Sequence, residues 1–278
     1  MNASRGPLHD VTVIVLAGGR ATRLAPLGSP LAKAMLPIGG HPYIGYLAAH
    51  YLRLGVASVH VAAGHRGESI ADYFRTEPWL KSAIVVEVSD PQGTGYDVVR
   101  TAKSIDTHLV LLVMGDVVTE FDPSALVRDF HENPSCCTLV VCDRSPQNEG
   151  ALAVRSDGLL LASAEAGSAA ARFPGTVHAR KSSTGAALMD RSALTATALE
   201  RGTSMERDLF PRWIGEGKMR TFDIGSAFFW DFGTPERYGF IADRPEIVER
   251  LYGRACPEPR APRTGPSVVT DSSEEGRR

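Results

Sequence analysis

The chain has 278 residues, 43% of them hydrophobic and 22% charged, which suits a globular protein with a sizeable core. Thirty lysines and arginines stand against 32 aspartates and glutamates, a net charge of -2. That balance excludes a global positive field for nucleic acid or an anionic membrane, so any basic site must be local.

The amino terminus, MNASRGPLHD, lacks an apolar signal core, and no run approaches the roughly 18 apolar residues of a membrane span, so a cytoplasmic location is expected. Val11 to Leu16 form a short, mostly β-branched run that turns abruptly into Ala17, Gly18 and Gly19 before Arg20, Arg23 and Lys33. This is how a parallel sheet offers its carboxyl end to a phosphate-rich ligand. Pro42 to Leu54 has helical spacing and stops at Gly55, and residues 56–63 read as a second strand. Residues 67–74 then predict a helix, 83–88 a third strand and 93–104 a helix opened by Gly-Thr-Gly. Residues 109–114, LVLLVM, form the most apolar run and predict the central strand, ending at Gly115 and Asp116. Asp122-Pro123-Ser124 predicts a helix start, and 138–142 another strand.

From about residue 149 the texture changes. Residues 151–154 and 159–162 flank Asp157-Gly158 as a hairpin, 164–182 carry no clear period, and 185–189 return to strand character. Ser204 and Glu206 precede a helical pattern through Ile214. Residues 219–222 and 227–230 predict strands flanking a turn, with Asp231 next, and Thr234-Pro235-Glu236 opens a last helix running to about Arg254. The proline-rich, then Ser, Glu and Arg-rich end predicts disorder. Cys136, Cys137, Cys142 and Cys256 form no CxxC pair and read as reduced thiols.

Gly18-Gly19 matches neither the GxGxxG fingerprint nor the GxxxxGK[ST] P-loop, and alone it is a tight turn. Its pairing with Arg23 and Lys33 points further, because cationic side chains beside exposed N–H groups bind a triphosphate and stabilise developing charge. Asp116 and Asp231 each end an apolar strand, and each reads either as a turn cap or as a Mg²⁺ ligand. No GxSxG elbow is present, which disfavours nucleophilic hydrolysis. GDVVTE at 115–120 lacks the Asp-x-Asp that a glycosyltransferase would want.

LAGGRATRLAPL, AKAMLPI, GTG, MGD and WDFGTPERY occur in the order found in sugar-1-phosphate nucleotidyltransferases. The chain resembles that family over about residues 11–240. SMERDLFP is similar to a segment of its short mannose- and heptose-1-phosphate guanylyltransferase branch. The resemblance implies an α/β fold, a Rossmann-like, mostly parallel central sheet flanked by helices with a smaller inserted β-rich sugar-binding part. Residues 1–10 are then an N-terminal extension, 11–148 the nucleotide-binding half, 149–254 the sugar-binding half and 255–278 a disordered tail.

It further implies a nucleoside triphosphate, GTP preferred, and a sugar 1-phosphate as partners, Mg²⁺ as cofactor, and no nucleic acid or membrane; a homodimer stays open. Arg23 would bind the β and γ phosphates, and Lys33 the α-phosphate region. Leu16, Ala17, Gly18, Gly19, Gly93 and Thr94 would surround the nucleoside, with Glu87 or Asp90 available to guanine. Asp116 and Asp231 would hold the metal. Glu165, Arg180, Lys181, Gly185 and Glu206 would face the sugar phosphate.

Several positions depart from the family pattern. Ala21 stands for a glycine, Ala32 and Ala34 stand for prolines around Lys33, and Glu165-Ala166 stands for a Glu-Lys pair. Arg172, Arg180 or Lys181 is left to replace the missing cation, with Arg180 and Lys181 favoured. Near the sugar, Ser183-Thr184-Gly185 also stands for an Asn-Ala-Gly segment, and because Arg23, Lys33, Asp116 and Asp231 are spared while the sugar side is altered, the expected acceptor is an unusual heptose, octose or related phosphate of specialised metabolism. The alternative is a non-catalytic nucleotide-sugar-binding regulatory relative.

Overall fold

A computed structural model describes residues 6–77, 84–143, 152–163, 176–198 and 200–255. Strand β1 (Val11–Ala17) leads through two 3₁₀ turns, Thr22–Leu27 and Lys33–Met35, to the short pair β2 (Pro37–Ile38) and β3 (His41–Pro42). Helix α1 (Tyr43–Leu54), β4 (Ser58–Ala63), α2 (Glu68–Thr76), β5 (Ile84–Val88), α3 (Thr94–Ala102) and β6 (Leu109–Met114) follow as repeated crossovers. Next come β7 (Val117–Thr119), α4 (Pro123–Glu132), β8 (Cys137–Cys142), β9 (Leu152–Val154), β10 (Leu160–Ser163), β11 (Ala179–Asp190) and α5 (Arg191–Thr195). A π turn at Met205–Leu209 runs into α6 (Phe210–Gly215), and β12 (Met219–Asp223), β13 (Phe229–Asp231), α7 (Pro235–Ala242) and α8 (Pro245–Tyr252) close the described chain.

β1 lies between β4 and β6, parallel to both, and β5 extends the parallel run beyond β4. β11 enters antiparallel between β6 and β8, and β12 is parallel to β8. The apolar run of β1 is continuous because both of its faces are covered. Val11, Val13 and Val15 join one core cluster, while Ile14 and Leu16 join the other. β6 divides in the same way, Leu111 and Val113 to one side and Leu112 to the other.

The predicted strands and helices of the first half recur, several with shifted ends. Asp122 caps α4 by accepting from Ser124 N–H, with Pro123 at the first helical position. Four features go beyond or change the sequence expectations. The strand at 185–189 begins at Ala179, and its first residues pair with β9, so hydrogen bonds join the hairpin directly to the sheet. The strands at 219–223 and 229–231 do not pair with each other: β12 joins β8, and β13 joins β7, which was not anticipated. Within the Gly-Thr-Gly opening, Gly93 holds the cap position and Thr94 is the first helical residue of α3. The last helix is two helices. Pro245 has no N–H to continue α7, and Arg244 before it sits at φ -133°, ψ 56°, outside helical space. The expected tail at 256–278 and the unassigned stretch at 164–175 lie outside the described residues.

Candidate active site

The carboxyl ends of β1 and β6 open on a hollow of about 230 Å³. Leu16, Ala17, Gly18, Gly19, Lys33, Gly93, Thr94 and Asp116 all line it, together with Pro91, Asp97 and Met114. Gly93 holds φ +111°, which a side chain rarely adopts, and this lets the chain pass close against Thr203 before entering α3.

Asp116 and Asp231 are brought together by strand register. β13 runs antiparallel to β7 with Asp231 opposite Val117, and Phe232 N–H donates to Asp116 O at 3.1 Å. The Lys33 ammonium is hydrogen-bonded to the Asp116 carboxylate and lies 5.9 Å from the Phe232 ring centre. Asp231 Oδ2 accepts from Arg237 Nη1 at 2.9 Å, and its Oδ1 accepts from Gly233 N–H at 2.5 Å. A β-carbon built on Gly233 would lie 2.7 Å from Asp231 Oδ1 and 3.1 Å from both Arg23 Nη2 and Lys33 Nζ. Arg23, Lys33, Asp116 and Asp231 thus surround one point, although they are spread over more than 200 positions of sequence.

In the loop carrying the cations, the backbone at Ala21 departs from regular geometry. Ala21 has φ 51° and ψ 33°, the left-handed conformation that costs a residue with a side chain about 1–2 kcal/mol. Ala32, at φ -60°, has a backbone that proline would accept, but its N–H donates to Ser69 Oγ at 3.2 Å, a bond proline would lack. Arg66 Nη1 donates to Ser29 O. Lys33 is therefore steadied by side chains from the turn into α2, in place of proline stiffness.

A second hollow of about 260 Å³ adjoins the first and shares Met114 and Asp116 with it. Ser183, Gly185, Glu206, Phe210 and Asp231 line it. Glu206 Oε2 accepts from Thr94 Oγ1 at 3.1 Å and from Ser204 Oγ at 2.9 Å, so one carboxylate ties the Gly-Thr-Gly turn to this second hollow. Lys181 is held by Asp143 and Asp223, each at 2.6 Å. Burial pulls its pKa down, and the two carboxylates outweigh that and leave it above the ordinary lysine value. Arg180 is exposed on β11, and Glu165, Ala166 and Arg172 lie outside the described residues.

The sequence reading did not single out Asp97. It is 8% exposed, and burial raises its pKa above the ordinary carboxylate value despite nearby Arg100 and the Gln92 amide. Its only signal was an acidic residue beside the inward face of Val98, Thr101 and Ala102. Glu87, one of two carboxylates proposed for the base, is instead engaged by Thr101 at 3.1 Å and by Arg100 at 3.3 Å. Asp90, the other, is exposed and outside the lining of the first hollow.

Residues 12–152 match the family model described as nucleotidyl transferase. The chain is 27% identical over 247 residues to the mannose-1-phosphate guanylyltransferase of Mycobacterium tuberculosis, covering 87% of this chain and 66% of that protein. It is 23% identical over 225 residues to the D-glycero-alpha-D-manno-heptose 1-phosphate guanylyltransferase of Aneurinibacillus thermoaerophilus, covering 81% and 94%. Among solved structures, HddC from Yersinia pseudotuberculosis superposes with a TM-score of 0.69 at 21% identity, covering 84% of this chain and 98% of that one, a likeness of fold. The chain spans just under two thirds of the mycobacterial protein's length.

Proposed function

The chain belongs to the nucleotidyl transferase family, and on that premise we propose that it transfers a nucleoside monophosphate from a nucleoside triphosphate to a sugar 1-phosphate. The observation that carries this reading is the meeting of Arg23, Lys33 and Asp231 around Gly233, with Asp116 bonded to Lys33, where two hollows adjoin. In-line phosphoryl transfer needs alignment and charge neutralisation more than a covalent nucleophile, and these are the residue types that supply both.

In this reading the first hollow holds the nucleoside between Leu16–Gly19 and Gly93-Thr94, and the second holds the sugar. An oxygen of the sugar 1-phosphate attacks the α-phosphorus, the bond to the β-phosphate oxygen breaks, and pyrophosphate leaves. Arg23 receives the charge on the departing pyrophosphate, Lys33 neutralises the α-phosphate, and Glu206 orients sugar hydroxyls. Asp116 and Asp231 fit Mg²⁺, a hard cation that takes one or two carboxylates and fills its shell with water and phosphate oxygens. When bound there it would supply further neutralisation at the reacting phosphates.

GTP is the proposed donor, supported by the two guanylyltransferase relatives, and the acceptor is a heptose, octose or related sugar 1-phosphate. A cytoplasmic location belongs to the same reading; no helix among the described residues is long and apolar enough to cross a membrane. With Asp143 and Asp223 occupying Lys181, Arg180 is the better candidate for the missing sugar-phosphate cation.

Incubation with Mg²⁺, GTP and a panel of sugar 1-phosphates should release pyrophosphate, EDTA should abolish the release, and Asp116→Ala should lower it at least about a hundredfold. Nucleotide binding without pyrophosphate across a broad panel would instead favour the regulatory reading, which the engagement of Lys181 supports.

A further inference from the structure

Asp97 is an acidic side chain in the first turn of α3, 8% exposed, on the wall of the first hollow beside Leu16, Gly93 and Thr94. Its Oδ1 is buried with no hydrogen-bond partner among the described residues. Two nearby groups leave that oxygen unsatisfied. The Gln92 amide is the backbone donor to the carboxylate, and the Arg100 guanidinium, one turn along the helix, faces Glu87 at 3.3 Å in an ion pair while its Nε and Nη2 have no hydrogen-bond partner among the described residues, so it donates no hydrogen bond to Asp97 Oδ1. As a mere counter-ion for Arg100, Asp97 would keep a desolvated acceptor with nothing to accept from, which costs free energy. A ligand donor entering the hollow removes that cost.

We propose that Asp97 selects the base of the nucleotide, its carboxylate accepting from the adjacent N1–H and exocyclic amine of guanine. This rests on reading the first hollow as the nucleoside site. Among the common bases only guanine presents two neighbouring donors on its pairing edge. Adenine and cytosine each set a ring acceptor beside their amine, and uracil flanks its single N–H with carbonyl oxygens, so each would press an acceptor against the carboxylate. Discrimination of this kind is strong, because the wrong base leaves a buried charge unpaired as well as losing a charge-assisted bond. Gly93 and Thr94 bring the chain against the hollow one turn before Asp97, so the wall that would cradle the nucleoside and the carboxylate that would read it belong to the same helix start.

The test is titration calorimetry on the full chain with Mg²⁺ and GTP, ITP, XTP or 2′-deoxy-GTP, for wild type and Asp97→Asn. ITP lacks the exocyclic amine and should bind wild type about tenfold or more weaker than GTP. In Asp97→Asn the amide would present one acceptor and one donor, matching the N1–H and O2 of xanthine. GTP should therefore weaken by about 10- to 100-fold while XTP strengthens, inverting the preference. Unchanged GTP to XTP ratios in a variant that melts like wild type would overturn the inference. So would equal wild-type affinities for GTP and ITP, a comparison that needs no variant. A loss in Asp97→Asn matched by 2′-deoxy-GTP on wild type, with no gain for XTP, would move the carboxylate to the ribose and also overturn it. If wild type binds no nucleoside triphosphate at all, the nucleotide reading itself fails, and this inference with it.

Discussion

Gly233 shows what a single missing side chain does for the proposed chemistry. Any β-carbon there would press on Asp231, Arg23 and Lys33 at once. All three contacts are to the ends of side chains, which can swing aside, so Gly233→Ala should leave the melting temperature nearly unchanged while displacing the charged groups by a fraction of an ångström to an ångström. Misplacement on that scale costs about a hundredfold in rate, and we expect pyrophosphate release to fall by about that factor. Melting curves beside a pyrophosphate assay separate the two effects; an unchanged rate would mean that these side chains need not hold their observed positions. At this scale the four residues that meet around Gly233 were legible: Arg23 and Lys33 after a Gly turn, and Asp116 and Asp231 after apolar strands. Asp97 was not, because a lone acid in a first turn is favoured there by the helix dipole and carries no mark of its burial.

Among the elements, β11 lines the second hollow and lies beside β6, whose Met114 lines both hollows. Its hydrogen-bond register shifts between Ser183 and Ala187, and within that irregularity Gly185 takes φ +77°. A β-carbon at Gly185 would lie 2.6 Å from Cγ of Met114, a residue lining both hollows. Gly185→Ala combines left-handed strain with a shifted Met114, so it should destabilise the fold by about 1–2 kcal/mol in urea denaturation and weaken nucleotide binding as well. Full stability in that variant would mean that the bulge is not constrained as observed. The strand's end at 185–189 was readable from its apolar residues, whereas Ala179–Ser182 were not, because Arg180, Lys181 and Ser182 have no hydrophobic alternation. Their pairing with β9 and β8 holds them in the sheet. The split of the last helix was written at Pro245, but an unbroken apolar spacing masked it.

Across the whole molecule, α8 packs back on α1 and steadies the strands that carry the aspartates. The Tyr252 hydroxyl accepts from Thr119 N–H at 2.8 Å and donates to Thr119 O at 3.1 Å, and Thr119 pairs with Phe229 in the strand that ends at Asp231. His50 lies against the Tyr252 ring at 4.8 Å between centres. Burial, and then the charge of Arg53, lower its pKa from 6.5 to about 4. The folded state therefore holds His50 neutral while the unfolded chain protonates it near pH 6.5. Its contribution to stability is complete above pH 6.5 and is lost progressively as pH falls toward 4, amounting to about 3 kcal/mol. Unfolding free energies across pH 4–7 should fall less steeply for His50→Gln than for wild type; parallel curves would remove His50 as the source.

By itself, the sequence determined the alternation of strands and helices in the first half, the glycine turn after β1 and the identity of four charged residues, since these depend on local periodicity and on residue types at short spacing. Only the tertiary structure decided that those four residues meet. Their convergence depends on β13 pairing with β7 in one register, on Phe232 N–H reaching Asp116, and on a loop held by Arg66 and Ser69. Such contacts join positions up to about 200 residues apart, and no local pattern encodes the strand register that brings them together.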